Sequence, residues 1–146
     1  MHVSRSKWLL MPLAAIVFTT VVAMAWQTRR VDDRALKNAE KSTEWLTYGQ
    51  GYSEQRYSTL KQIDTTNVSR LGLAWSYDLG QGGGPQEATP LFANGVLYGI
   101  TNWSVTFAVD ARTGKEIWRY DPKVTPGSVR LCCGVISRGI ALYEGK

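Results

Sequence analysis

Apolar and polar positions change character twice along this chain. Positions 8–22 are almost wholly apolar, and positions 27–44 are polar and charged, with only Val31, Leu36 and Ala39 at loose helical spacing. That second stretch predicts a linker carrying one short helix. From Trp45 onward, short runs rich in Tyr, Trp, Val and Thr are broken by glycine and asparagine turns, the pattern of an all-β chain. The runs predict strands at 73–77, 89–92, 96–100, 105–110, 116–120 and 139–143. Asn94-Gly95 lies between two of them and marks a two-residue hairpin, because both residues tolerate positive φ. Thr113-Gly114 marks a second hairpin with a longer loop. The final run stops at Lys146, where a hairpin partner should begin, and so few short strands cannot close a barrel or a propeller. The pattern therefore reads as the N-terminal part of a longer protein.

The opening apolar run alters the compartment. Arg5 and Lys7 precede it and Ala23-Met24-Ala25 follows it, which together make a basic start, an apolar middle and a small-x-small cleavage site. We read 1–25 as an export signal to the periplasm, 26–44 as a polar linker and 45–146 as the folded part. A spanning helix needs about 20 apolar residues, so the run is borderline as an uncleaved inner-membrane anchor, the alternative reading. No cysteine precedes Cys132, which excludes a lipid-anchored start.

Charge adds little once the signal is set aside. Without Arg5 and Lys7 the 17 basic side chains fall to 15 against 12 acidic ones, so the net charge of +5 falls to +3. The excess is scattered, with no nucleic-acid footprint. The run Gly80-Gln81-Gly82-Gly83-Gly84-Pro85 reads as a flexible loop, since the strand-then-helix context of a phosphate cradle is missing.

The two cysteines, Cys132 and Cys133, are neighbours. A disulfide normally wants Cα atoms about 4.4–6.8 Å apart, whereas a trans peptide fixes neighbours at about 3.8 Å. Closing the pair makes a strained ring, and strain of that kind persists where a site uses it. Two small adjacent hydrophobes explain the dipeptide as readily. An oxidising compartment permits the bond.

Several motifs then fall into one order. Ala108, Asp110, Thr113, Gly114 and Trp118 stand in the spacing Ala-x-Asp-x-x-Thr-Gly-x-x-x-Trp, which resembles the tryptophan docking motif of bacterial quinoprotein dehydrogenases. Trp45-Leu46-Thr47-Tyr48-Gly49, Tyr52-Ser53-Glu54-Gln55-Arg56-Tyr57-Ser58 and Leu60-Lys61-Gln62-Ile63 resemble the opening of the alcohol and methanol dehydrogenases that carry pyrroloquinoline quinone (PQQ). Leu71-Gly72-Leu73-Ala74-Trp75 and Gln86-Glu87-Ala88-Thr89-Pro90-Leu91 continue in register.

The resemblance implies an all-β fold, the N-terminal part of an eight-bladed quinoprotein-type propeller preceded by a signal peptide. It implies that Cys132 and Cys133 form a vicinal disulfide stacked on one face of the quinone. Glu87 would hydrogen-bond the cofactor, and Arg138 would pair with its oxygens or carboxylates. The common family pattern reads Cys-Cys-Asp-x-x-Asn-Arg-Gly, from which Gly134 and Ser137 depart. The implied activity is oxidation of primary alcohols with electrons passed to a periplasmic cytochrome c. Calcium or a lanthanide would assist, its ligands and the catalytic base falling beyond position 146, so that this stretch alone would be inactive. Homo-oligomerisation is left open. The alternative is a non-enzymatic propeller scaffold of the outer-membrane assembly type. That scaffold would keep Trp118 and the Thr113-Gly114 turn but has no use for Cys132, Cys133, Glu87 and Arg138 together.

Overall fold

The computed structural model describes residues 30–80, 86–125 and 134–146. The expected export signal, most of the glycine loop and the Cys132-Cys133 pair lie outside the described residues. Four strands form one antiparallel sheet: β1 (Leu91–Ala93), β2 (Val96–Ile100), β3 (Thr106–Asp110) and β4 (Glu116–Tyr120). Their spatial order is their chain order, which makes a meander of the size of one propeller blade.

The turns explain the meander. Asn94 and Gly95 take φ of 52° and 77°, and Ala93 pairs with Val96 directly across them, as the hairpin signal required. The β2–β3 connection closes by the Thr101 N–H donating to the Val105 carbonyl at 2.9 Å. The β3–β4 connection closes by the Asp110 N–H donating to the Lys115 carbonyl at 2.9 Å, and the Gly114 N–H donating back to Asp110 at 2.8 Å. The β3–β4 register slips between Ala108 and Val109, because Ala108 faces Trp118 while Val109 faces Glu116. Ile117 is the extra residue of this bulge, which increases local twist.

The core lies under β1 and β3. Leu91 and Val109 are its largest fully enclosed side chains. Truncating Val109 to alanine removes the equivalent of two methylenes and leaves part of the space unfilled, so we expect a loss of about 2 kcal/mol. Chemical denaturation would read this as a lower midpoint at unchanged slope.

The stretch before Trp45 does more than connect. The expected helix is present as α1 (Asp33–Lys37), capped by Asp32, whose Oδ1 accepts from the Ala35 N–H at 2.8 Å. Val31 and Ala39 on either side of α1 are buried with Leu46 and Ala93. Gln50, also buried, ties this stretch to the next, donating from Nε2 to the carbonyls of Ala39 (3.2 Å) and Ser42 (3.1 Å). Trp45 then pairs with Phe92 through two backbone hydrogen bonds of 3.0 and 2.8 Å, covering the outer edge of β1.

Two expected strands differ. Residues 73–77 and 139–143 join no ladder among the described residues. Alternation makes a segment able to pair but does not choose an edge: Trp45 occupies that of β1, and neither segment pairs with the outer edge of β4. The first attaches by side chains, the second by side-chain packing and a backbone bond just beyond its end. Trp75 donates from Nε1 to the Ala111 carbonyl at 3.1 Å, and Tyr77 donates from its hydroxyl to Glu116. Leu142 packs on the Val31–Ala93 cluster, while the Glu144 N–H donates to the Val31 carbonyl at 2.8 Å. The strand expected at 89–92 begins two residues late, after Pro90, which has no N–H to give a ladder.

Candidate functional site

Glu87 and Arg138 are distant in sequence and close in space. Arg138 Nε lies 3.5 Å from Glu87 Oε2, with side chains 80% and 44% exposed respectively. Glu87 is placed by the start of β1, since Leu91 is locked in the core four residues on. Arg138 is placed by the anchoring of Leu142 and Glu144. The pair therefore sits at the meeting of two anchored segments, facing solvent.

Its chemistry is recognition. The contact uses the inner guanidinium nitrogen, and the terminal nitrogens make no hydrogen bond to other described residues. A guanidinium so presented suits a planar anionic oxygen pair. A flat tricarboxylate such as PQQ fits this pair: a cationic fork for its carboxylates beside a carboxylate able to accept from its one ring N–H.

The residues leading to Arg138 line a small cavity of about 240 Å³. Gly134, Val135 and Ile136 form one wall, and Asn102, Trp103, Ser104 and Val124 the other. Gly134, which stands where the common family pattern has aspartate, takes φ 105°, a conformation that favours glycine. Cys132 and Cys133, immediately before it, lie outside the described residues, and so does their pairing. A larger cavity of about 640 Å³ lies between the sheet face (Val96, Tyr98, Thr106, Trp118) and residues 140–146, away from Glu87 and Arg138. Trp118 faces it, with its ring centroid 6.3 Å from that of Tyr98. Among the described residues no three His, Cys, Asp or Glu side chains cluster as metal ligands.

The docking motif is built as its spacing implied. Asp110 Oδ1 accepts from the N–H groups of Thr113 (2.8 Å) and Arg112 (3.0 Å) and from the Thr113 hydroxyl (2.9 Å). The Thr113 hydroxyl, then these N–H groups, hold the Asp110 carboxyl below its ordinary range.

Arg119 carried no sequence signal of its own and gathers several contacts at the chain's entry to the glycine loop. It donates to Glu116 (3.1 Å) and to the carbonyls of Leu79 (3.1 Å) and Asp78 (3.2 Å). Its guanidinium also lies over the Tyr77 ring, 5.4 Å from the centroid. It thus fixes residues 77–79, where the chain enters the glycine loop. Only its position one residue after the motif's tryptophan, on an edge strand, could have drawn attention to it.

Similarity to known proteins identifies the family of this blade. The model of the PQQ glucose/ethanol/alcohol dehydrogenase β-propeller domain matches residues 45–146. The dehydrogenase subunit of the quinone alcohol dehydrogenase of Gluconobacter oxydans is 49% identical over 96% of this chain and 19% of its own length. The cytochrome c 1-butanol dehydrogenase of Thauera butanivorans is 47% identical over 70% of this chain and 15% of its own. The crystal structure of the quinohemoprotein alcohol dehydrogenase of Comamonas testosteroni superposes with a TM-score of 0.74 at 46% identity, over 80% of this chain and 18% of that one. The chain thus spans about a fifth or less of the length of these relatives. It belongs to the PQQ family of glucose/ethanol/alcohol dehydrogenase β-propeller domains.

Proposed function

We propose that this chain supplies the opening blade and part of the cofactor site of a periplasmic, PQQ-dependent alcohol dehydrogenase. The whole protein oxidises primary alcohols and passes the electrons to a cytochrome c. The observation that carries the reading is the meeting of Glu87 and Arg138 at 3.5 Å on a blade of this family. When bound, PQQ supplies the two-electron oxidation of the alcohol. Arg138 pairs with its anionic oxygens, Glu87 accepts a hydrogen bond from it, and a Cys132–Cys133 disulfide gives one ring face a hard platform. Calcium or a lanthanide and the catalytic base come from beyond position 146, so turnover belongs to the whole protein and not to these residues alone. The signal at 1–25 is removed on export. A scaffold propeller accounts for the Asp110 turn and Trp118 but gives no reason for the Glu87–Arg138 meeting.

The test is a titration of the whole apoprotein with PQQ, followed by alcohol-dependent reduction of cytochrome c. Saturable binding at one equivalent and alcohol-dependent electron transfer are expected, and absence of PQQ binding sinks the proposal. Reducing Cys132 and Cys133, verified by thiol count, is expected to lower activity. Unchanged activity in the reduced protein removes the disulfide from the site.

A further inference from the structure

We propose that the small cavity walled by Trp103, Val124, Val135 and Ile136 seats the hydrocarbon chain of the alcohol, with Trp103 and Ile136 setting the chain length that is preferred. This rests on the cofactor-site reading above and adds where the unreactive part of the substrate goes.

The meander decides which end of the blade the cavity occupies. Ile100, Thr106 and Tyr120 pair in one row at one end of the sheet, whereas the Asn94-Gly95 turn and the 110–115 turn close the other. The first end gathers three passages of the chain: the entry into β1 that carries Glu87, the connection from β2 to β3, and the exit from β4. The cavity is built from that connection (Asn102, Trp103, Ser104) and from the chain that follows β4 (Val124, Val135, Ile136). It therefore lies at the end of the blade that holds Glu87 and Arg138. Ile136 is two residues from Arg138, which keeps their Cα atoms within about 7 Å of each other.

The lining suits an uncharged, apolar group. Among the described residues no charged side chain lines the cavity, and four of its walls are apolar: Trp103, Val124, Val135 and Ile136. A tricarboxylate pressed against such walls loses water without gaining a partner, so the cavity does not suit the cofactor. The alkyl chain of a primary alcohol needs no partner there and gains by leaving water. Its volume of about 240 Å³ exceeds the roughly 150 Å³ that accepts benzene, which gives room for a chain of about six carbons. Trp103 is held in place by its neighbours. Thr101 and Asn102 are buried, and the Ser104 N–H donates to the Thr101 carbonyl at 3.1 Å, closing the turn around it. A wall fixed in this way can discriminate by size.

The experiment measures kcat/KM for linear primary alcohols, from ethanol upward, on the whole PQQ-loaded protein, with PQQ affinity recorded for each variant. Each methylene buried is expected to raise kcat/KM about fourfold, until the cavity fills near about six carbons and the rise stops. Ile136→Trp fills the space from one wall. It is expected to flatten the series, cutting the advantage of 1-butanol over ethanol from about sixteenfold to below about threefold. Trp103→Ala opens the other wall and is expected to carry the rise about two carbons further. Because it only removes atoms, it carries the test by itself if the larger side chain prevents folding. An unchanged chain-length profile in Trp103→Ala overturns the proposal. A loss of PQQ affinity that accounts for an equal loss of kcat/KM on every alcohol overturns it as well, since the cavity then belongs to the seat of the cofactor. If the unaltered protein binds no PQQ or oxidises no alcohol, the underlying cofactor-site reading fails instead, and the two failures are told apart.

Discussion

Replacing Gly114 with valine is expected to destabilise the protein by about 2–5 kcal/mol. Two separate costs meet there. Gly114 has φ 70°, and a β-branched residue in that region is strained by about 1–2 kcal/mol. A Cβ at this position would also lie 2.6 Å from Trp75 Cε3 and 2.7 Å from Cδ2. The indole cannot swing aside freely, because its Nε1 is bonded to the Ala111 carbonyl of the same turn at 3.1 Å. Forcing a side chain into that contact adds about 1–3 kcal/mol of overpacking. Gly95 is the internal control: its φ is 77°, and an added Cβ meets nothing within 4 Å. Gly95→Val should therefore show the backbone cost alone, about 1–2 kcal/mol. Denaturant unfolding of the two variants decides the matter. Equal losses would mean that the Trp75 contact contributes nothing.

That contact also shows where the sequence speaks and where it is silent. Asn94-Gly95 and Thr113-Gly114 specify their turns locally, so the strands they join, β2 and β4, fall where the pattern placed them. Asp110 is legible for the same reason, its three hydrogen-bond donors coming from Arg112 and Thr113, two and three residues on. The segments 73–77 and 139–143 share the same alternation, yet no local rule says which edge is open to them. Leu73 is 86% exposed, although its pattern is that of a buried strand position. Burial of Gln50 and the clamp of Arg119 on residues 77–79 are long-range outcomes: Gln50 reaches carbonyls 8 and 11 positions away and Arg119 reaches carbonyls 40 and 41 away, and a polar residue announces nothing about who will accept its protons. Glu87 and Arg138 were legible only through resemblance to a family. Composition and spacing mark neither residue, and their meeting is a property of the fold.

Arg138→Ala is expected to weaken PQQ binding about a hundredfold while leaving the unfolding midpoint in place. The two halves of that expectation have different causes. Arg138 contributes little to the fold, because its side chain is 80% exposed and its ion-pair contact with Glu87 is long. Exposed pairs of this kind are worth about 0–1 kcal/mol. A bound tricarboxylate changes the setting: water leaves, and a guanidinium forming two parallel hydrogen bonds to a carboxylate is among the stronger contacts a side chain can make. Losing it costs about 2.7 kcal/mol, which is two decades in affinity. Arg138→Lys separates charge from shape. Lysine restores the positive charge but presents it as a point, without the planar fork, so about a tenfold loss should remain. Titration with PQQ alongside thermal unfolding reads both quantities on the same samples. Parallel losses of binding and stability would make Arg138 a structural residue. Full recovery by lysine would mean that the site attracts the cofactor by charge alone and that the geometry of the Glu87 contact is irrelevant to it.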